Sequence, residues 1–279
     1  MTFSEAYKDG VKKLKDAGIE DSEADAGILL SYLTGKNRTF FLTHAEEALS
    51  EELAARYGEL IKRRAGHVPT QLITGVQDFM GFEFEVSENV LIPRLDTEFM
   101  VEEALREITD GARVLDLCCG SGCIIISIAK LTNGIEAVAS DISDAALALT
   151  RRNAERIGAE VEVVKSDLFD SIDGKFDFIL SNPPYIRSSE IPKLMEEVRE
   201  HEPRLALDGG EDGLLFYRRI ARDARDRLNG GGMLILEIGY DEGTAVKDIL
   251  EAEGYRDIEI FTDYSGNERV IKCLKNWTT

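Results

Sequence analysis

The sequence predicts an α/β protein: a doubly wound, mostly parallel sheet with an antiparallel strand at one edge, preceded by a small helical domain and a β-hairpin linker. Three observations predict it. Apolar residues recur at helical spacing through the first quarter of the chain. An apolar strand at Val114-Leu115-Asp116-Leu117 then runs into a glycine-bearing loop, Cys118-Cys119-Gly120-Ser121-Gly122, and an apolar helix opening Cys123-Ile124-Ile125-Ile126, which is how a doubly wound unit begins. Short apolar strands continue to the end, where 255–261 and 270–274 read as a final antiparallel pair. The chain divides as 1–70 (helical), 71–95 (hairpin linker) and 96–279 (sheet domain).

In the first part, Phe3, Tyr7, Val11 and Leu14 share a helix stripe closed by Gly18. Asp21-Ser22 offers a cap for Ile28, Leu29, Tyr32 and Leu33, stopped by Gly35. Ser50 caps a third helix carrying Leu53, Tyr57, Leu60 and Ile61 and ending in Lys62-Arg63-Arg64 before Gly66. Basic residues in a last turn complement the helix dipole. A unit of this size marginally supports its own core. It carries no catalytic pattern, and its expected task is partner recognition.

From Gln71 the period changes. Phe82, Phe84 and Val86 alternate with Glu83 and Glu85, and Ser87-Glu88-Asn89 reads as a turn into Val90-Leu91-Ile92, the expected second strand of the hairpin. Asp96 or Thr97 is then the expected cap of a helix containing Phe99, Val101 and Leu105. Arg94, just ahead of it, is either a solvated charge or a cation lining a site.

The 118–122 loop resembles a dinucleotide fingerprint but departs from it. Cys118 stands at the first glycine position, and no third glycine follows in register. Fewer glycines leave less room for a pyrophosphate. The second strand, Ala137-Val138-Ala139-Ser140, ends in Asp141, where a carboxylate accepts from both ribose hydroxyls. Together these favour a nucleoside ligand without phosphates, of which S-adenosylmethionine is the common one. After a third strand at 161–164, Asp167 is either a helix cap or a partner for the adenine amino group, with Leu168 or Phe169 against the ring.

The fourth strand, Phe176–Leu180, ends in Ser181-Asn182-Pro183-Pro184-Tyr185. Neither proline can donate to a ladder, and each restricts the residue before it to extended geometry. This is either a plain strand-terminating turn or a rigid corner. As a corner it presents the Asn182 amide oxygen, the Pro183 carbonyl and the Tyr185 ring. Two adjacent acceptors match an NH2 group, and an aromatic face stacks on a flat conjugated one. Gly230-Gly231-Gly232 precedes a late strand at Met233–Leu236.

Composition narrows the class. With 43% hydrophobic and 31% charged residues in 279, the chain is globular rather than disordered. A net charge of −20 argues against a grip on nucleic acid through phosphates. Neither a membrane-spanning run nor a signal peptide is legible. Of four cysteines, Cys118, Cys119 and Cys123 cluster too closely for a disulfide framework, and a reduced, cytoplasmic setting is expected. Paired CxxC spacing is missing, so no metal is expected.

These blocks resemble the release-factor glutamine methyltransferases, the HemK-like family of S-adenosylmethionine-dependent enzymes. The resemblance runs through Gly66-His67-Val68-Pro69, residues 91–98, 116–122, Asp141, 181–186, Glu202-Pro203-Arg204-Leu205-Ala206-Leu207 with 208–210, and Leu236-Glu237-Ile238-Gly239. It covers everything after the helical region, which is also what the family places in front. The blocks at 92–98 and 202–210 are more specific than 182–185, which adenine-N6 and some guanine-N2 methyltransferases share. Departures are Cys118-Cys119 for Gly-Thr, Leu95 for proline, and Tyr240-Asp241-Glu242.

The resemblance implies a Rossmann-like S-adenosylmethionine-dependent methyltransferase fold over 96–279. It implies methyl transfer to the glutamine of the GGQ loop of peptide chain release factors 1 and 2, leaving S-adenosylhomocysteine. Cys118, Cys119, Gly120, Ser121, Gly122, Asp141, Asp167, Leu168 and Asn182 would hold the cofactor. Asn182, Pro183, Pro184, Tyr185 and Arg94 would hold the substrate, with Asn182, Pro183 and Tyr185 catalytic. The expected state is a monomer, without membrane or direct nucleic-acid substrate. A nucleic-acid amino-group methyltransferase is the alternative.

Overall fold

A computed structural model describes residues 1–276. Two compact units emerge. Met1–Val76 with Met195–His201 form one, and Gln77–Leu194 with Glu202 onward form the other.

In the first unit the helices are α1 (Phe3–Asp16), α2 (Ser22–Thr34), α3 (Arg38–Thr43), α4 (Glu51–Ala65) and α5 (Thr70–Thr74). The caps explain where they start. The Thr2 hydroxyl accepts from the Glu5 N–H at 3.2 Å while the Glu5 carboxylate accepts from the Thr2 N–H at 2.8 Å, a reciprocal capping box. Ser50 accepts from the Leu53 N–H at 3.2 Å as expected, and Gly35 ends α2 at φ +66°. Short α3 was not legible in advance, although Asn37 caps it through the Phe40 N–H at 2.9 Å. The most buried stripe of α1 is Ala6, Gly10 and Leu14, one position round from the larger residues. Gly10 is required because Tyr57 crosses there: a Cβ on Gly10 would lie 2.4 Å from the Tyr57 hydroxyl, which donates to the Ala26 carbonyl at 3.0 Å.

Arg64 is not a solvated end of α4. It is 5% exposed, and its guanidinium contacts Asp25 and Glu197 at 2.6 Å each. Glu197 belongs to the 195–201 segment, which explains why that distant stretch belongs to this unit. Removing one partner from a buried ionic cluster costs far more than an exposed pair is worth. Arg64→Leu should therefore lower unfolding free energy by about 3–5 kcal/mol, read by urea denaturation. A loss under about 1 kcal/mol would show that Asp25 and Glu197 are comfortable without it.

A hairpin follows, β1 (Val76–Phe79) and β2 (Phe82–Glu85). Its turn is Met80-Gly81, both at positive φ (51° and 78°), the backbone a two-residue hairpin needs. The expected pairing of 82–86 with 90–92 is therefore corrected: β2 pairs backward, not forward. Val90 is buried instead against Ala146 and Leu149.

The chain continues through α6 (Leu95–Leu105), β3 (Arg113–Leu117), α7 (Cys123–Leu131), β4 (Glu136–Asp141), α8 (Asp144–Ile157), β5 (Glu162–Lys165) and β6 (Phe176–Ser181). Then come α9 (Glu196–His201), α10 (Leu215–Arg227), β7 (Leu228–Glu237), α11 (Gly243–Ala252), β8 (Arg256–Thr262) and β9 (Glu268–Leu274). Seven strands form one sheet in the order β5-β4-β3-β6-β7-β9-β8. Parallel pairing runs from β5 to β7, and β9 is antiparallel to both neighbours. The reversed strand thus lies one in from the edge, which β8 occupies.

Strand alternation builds two cores. Val114, Ala139, Leu180 and Ile235 face α6 and α7 through Met100 and Ile125. Leu115, Val138, Ile179 and Leu234 face α10 and α11 through Tyr217 and Val246. This is the doubly wound pattern, with its direction switch between β3 and β6, where ligands of such sheets bind beyond the strands' carboxyl ends.

The expected cap of α6 is also corrected. Arg94 is the N-cap and makes no side-chain capping bond, while Asp96 and Thr97 lie inside the first turn. Their side chains are engaged elsewhere. Asp96 meets Arg269 at 3.2 Å and Thr97 accepts from Asn182.

Candidate active site

A mostly apolar cavity opens over the ends of β3, β4 and β6, bounded by the 89–94 and 203–206 segments and by α10. Cys118, Cys119, Gly120, Ser121, Asp141, Asp167, Leu168, Asn182, Pro184 and Arg94 all line it. Gly122 does not line the cavity. Its φ is +79°, and a Cβ there would lie 2.7 Å from Thr150 Cγ2, so only glycine lets the loop turn onto α8.

The loop and the β4 carboxylate are built as one piece. The Asp141 carboxylate accepts from the Gly120 N–H at 3.0 Å and from the Ser143 N–H at 2.9 Å. Burial raises its pKa, opposed by backbone N–H groups at Ser143, Gly120 and Ile142. Each oxygen keeps further lone-pair capacity for a ligand hydroxyl. Cys118 takes the glycine-like position at φ +58°, a conformation that costs a side-chain-bearing residue roughly 1–2 kcal/mol. Burial pushes the Cys118 and Cys119 thiols well up and that of Cys123 up to about 12. All three are held as thiols, the reverse of what thiolate chemistry requires.

Asp167 follows β5, and its Oδ1 accepts from Arg219 at 2.9 Å. Its other oxygen has no hydrogen-bond partner among the described residues. Leu168, beside it at φ +48°, is buried in the cavity wall. The two readings of Arg94 meet in one arrangement. It lines the cavity, and its guanidinium is held by both oxygens of Glu202 at 2.6 and 2.7 Å. Glu202 is drawn in opposite directions, up by burial and down by Arg94, with burial prevailing.

The 182–185 corner is held from below. Ser181 donates its hydroxyl to the Leu117 carbonyl at 2.9 Å, fixing the end of β6 against β3. The exit is clamped by 207–210: the Ile186 N–H donates to Leu207 at 2.9 Å, and the Gly209 N–H donates back to Ile186 at 2.8 Å. A Cβ on Gly209 would sit 2.7 Å from the Tyr185 backbone. Asn182 Nδ2 donates to Thr97 Oγ1 at 3.3 Å. Pro183 and Tyr185 adjoin the cavity in sequence but do not line it. The Tyr185 hydroxyl instead approaches Glu237 Oε1 at 3.5 Å.

Sequence reasoning missed Thr97, Arg219 and Glu237. Glu237 was visible only as a member of the 236–239 block, with no role attached. It is 1% exposed, and burial pushes it up to about 7, opposed by Thr97 and the Arg269 charge.

Residues 94–211 match the methyltransferase small domain and residues 5–75 the PrmC N-terminal domain. The crystal structure of a methyltransferase from Pyrococcus furiosus shares the fold at a TM-score of 0.55 and 21% identity, over 70% of this chain and 90% of that one. Fold and cavity thus define a Rossmann-like methyltransferase. A release factor glutamine methyltransferase of Clostridium acetobutylicum is 40% identical over 282 residues, covering 99% of both chains. Its namesake in Geobacter sulfurreducens is 44% identical over 260 residues, 92% of this chain and 91% of that one. The chain belongs to the release factor glutamine methyltransferase family.

Glu237 binds its proton more tightly when folded than when unfolded. Its contribution to stability is therefore full below about pH 4.5 and is lost as pH rises through about 7. Compared with Glu237→Gln, the wild type should lose up to about 3 kcal/mol between those limits, at 1.36 kcal/mol per pKa unit. Urea unfolding of both chains across this range measures it, and parallel curves would mean that Glu237 ionises as freely as in water.

Proposed function

We propose that the protein transfers a methyl group from S-adenosylmethionine to the side-chain amide nitrogen of the glutamine in the GGQ loop of peptide chain release factors 1 and 2. It would work as a cytoplasmic monomer, with residues 1–70 recognising the partner. The observation that carries the reading is Asn182, which lines the cavity with its NH2 group engaged by Thr97. Its oxygen remains as an acceptor for another NH2.

The residues present fit the cofactor. Asp141 retains lone pairs for two ribose hydroxyls, Asp167 an oxygen for the adenine amino group, and the loop and the apolar wall at Leu168 and Ile142 suit the rest. When bound, S-adenosylmethionine supplies the methyl group on a sulfonium sulfur. The glutamine nitrogen is a poor nucleophile because its lone pair is delocalised into the carbonyl. Asn182 Oδ1 and the Pro183 carbonyl would take its two N–H groups and fix its direction, an effect that can supply roughly 7–11 kcal/mol. As positive charge grows on the nitrogen, the same oxygens stabilise it more than they stabilise the neutral amide. Methylation leaves a cationic nitrogen whose two protons are acidic, and one of them leaves to solvent after transfer, giving the neutral N-methyl amide. Tyr185 would act from behind the corner, and Arg94, neutralised by Glu202, would border the substrate.

Asn182→Ala should leave the melting temperature nearly unchanged while slowing methylation of a purified release factor by roughly two to three powers of ten. Asp141→Ala should weaken S-adenosylmethionine binding by about 1.5–3 kcal/mol in calorimetry. A release factor with asparagine in place of the loop glutamine should accept poorly. Labelling of duplex DNA, tRNA or ribosomal RNA with the release factor left untouched would reverse the assignment in favour of the nucleic-acid alternative.

A further inference from the structure

We propose that Thr97 and Glu237 are positioning residues that set the direction of the Asn182 amide, so that its oxygen and not its NH2 group faces the substrate. The inference rests on the methyl-transfer reading above and adds to it two residues from outside the 182–185 corner.

An asparagine amide is nearly symmetric in shape, and a 180° turn exchanges an acceptor for a donor. A donor facing an amide NH2 would repel it, so the turn must be forbidden. The chain of groups behind Asn182 forbids it. Asn182 Nδ2 donates to Thr97 Oγ1 at 3.3 Å. A hydroxyl that accepts there has one proton left to give. Glu237 is the carboxylate near Thr97, whose hydroxyl favours its ionised form. Glu237 Oε2 is fully buried and has no partner among the described residues, while Oε1 takes the Tyr185 hydroxyl at 3.5 Å. An ionised carboxylate only accepts. With Glu237 as terminus, Thr97 must donate to it and therefore accept from Asn182, and Oδ1 is left for the cavity.

The charged and titratable groups around Glu237 are Asp96 from α6, Arg269 from β9, Cys123 from α7, Tyr185 after β6 and Tyr217 from α10. Arg269 is the cation among them. It also meets Asp96 and Asp263 at 3.2 and 3.3 Å, so it anchors the acceptor end without reaching Asn182.

Thr97→Val keeps the shape and removes the relay. Glu237→Gln keeps the shape and adds a donor that can reverse it. Each should lower kcat on release factor by roughly 10- to 100-fold, the scale of a misdirected reacting group. The KM for release factor and the affinity for S-adenosylmethionine should stay within about threefold, since Glu237 is buried outside the cavity lining and Thr97, which lines it, would act through Asn182. Thr97→Ser, which restores a hydroxyl, should recover most of the rate lost in Thr97→Val. The wild-type kcat should rise with pH through about 7 as Glu237 ionises, and the Glu237→Gln profile should be flat there.

A second readout needs no substrate. The Asn182 side-chain NH2 signals in a nitrogen-15 spectrum, assigned with Asn182→Asp, should be protected from solvent exchange in the wild type and unprotected in Thr97→Val. Wild-type failure to methylate release factor would count against the glutamine reading alone, and the spectrum would still decide the relay. Full kcat in Thr97→Val, Thr97→Ser no better than Thr97→Val, or unchanged Asn182 protection in Thr97→Val would each overturn it.

Discussion

Parallel pairing of β3 with β6 is the contact on which the sheet domain depends. The two strands leave the sheet side by side at the point where the winding reverses, so their two exits form the walls of the cavity. Leu117 and Ser181 are register partners, and the Ser181 hydroxyl closes on the Leu117 carbonyl. The next residues are Cys118 on one strand and Asn182 on the other. One is the start of the glycine loop; the other is the acceptor corner. A slip of one residue would exchange Val114 and Leu115 between the two cores and turn Asn182 away at the same time. Packing on both faces thus specifies the geometry of the site.

The acidic total conceals an orderly interior. Several carboxylates are met by a cation from a distant part of the chain: Arg94 on Glu202, Arg269 near Glu237, and Lys272 on Glu103 and Glu107 at 3.0 and 2.9 Å. Lys272 also lies 4.2 Å from the centre of the Phe261 ring. Such pairs do little for net stability, because desolvation offsets attraction, but losing one partner is expensive. They tie α6 to β9 and the 93–98 stretch to 202–208 with angular precision that apolar packing alone does not supply.

Most of the sheet domain was legible because strands buried on both faces read as short apolar runs, and loop chemistry marks their ends. The 118–122 loop, Asp141 and the Asn182 corner stood out from residue type and order alone, and the folded chain brings them to one cavity. The hairpin register was not, since Phe82–Glu85 alternates equally well toward either neighbour and the deciding Met80-Gly81 turn has a residue at positive φ that composition does not favour. The α6 cap was misplaced because Asp96 and Thr97 are good cap residues in isolation, and only the folded chain shows them bonded to Arg269 and Asn182. Glu237 escaped for the same reason. Its meaning comes from groups on α6, β9 and the β6 exit, and no local period encodes them.

The Arg64 cluster carries a consequence for synthesis. The first unit is discontinuous: its helices are made early, but Glu197 arrives only after about 120 further residues. Arg64 lies 133 residues before Glu197 (197 − 64), so at ribosomal speeds of about 5–20 residues per second it waits roughly 7–27 s for its second carboxylate. During that interval α4 holds a buried cation compensated by Asp25 alone. The first domain to emerge is thus finished only after much of the second has been made, and its completion reports that the chain between is in place.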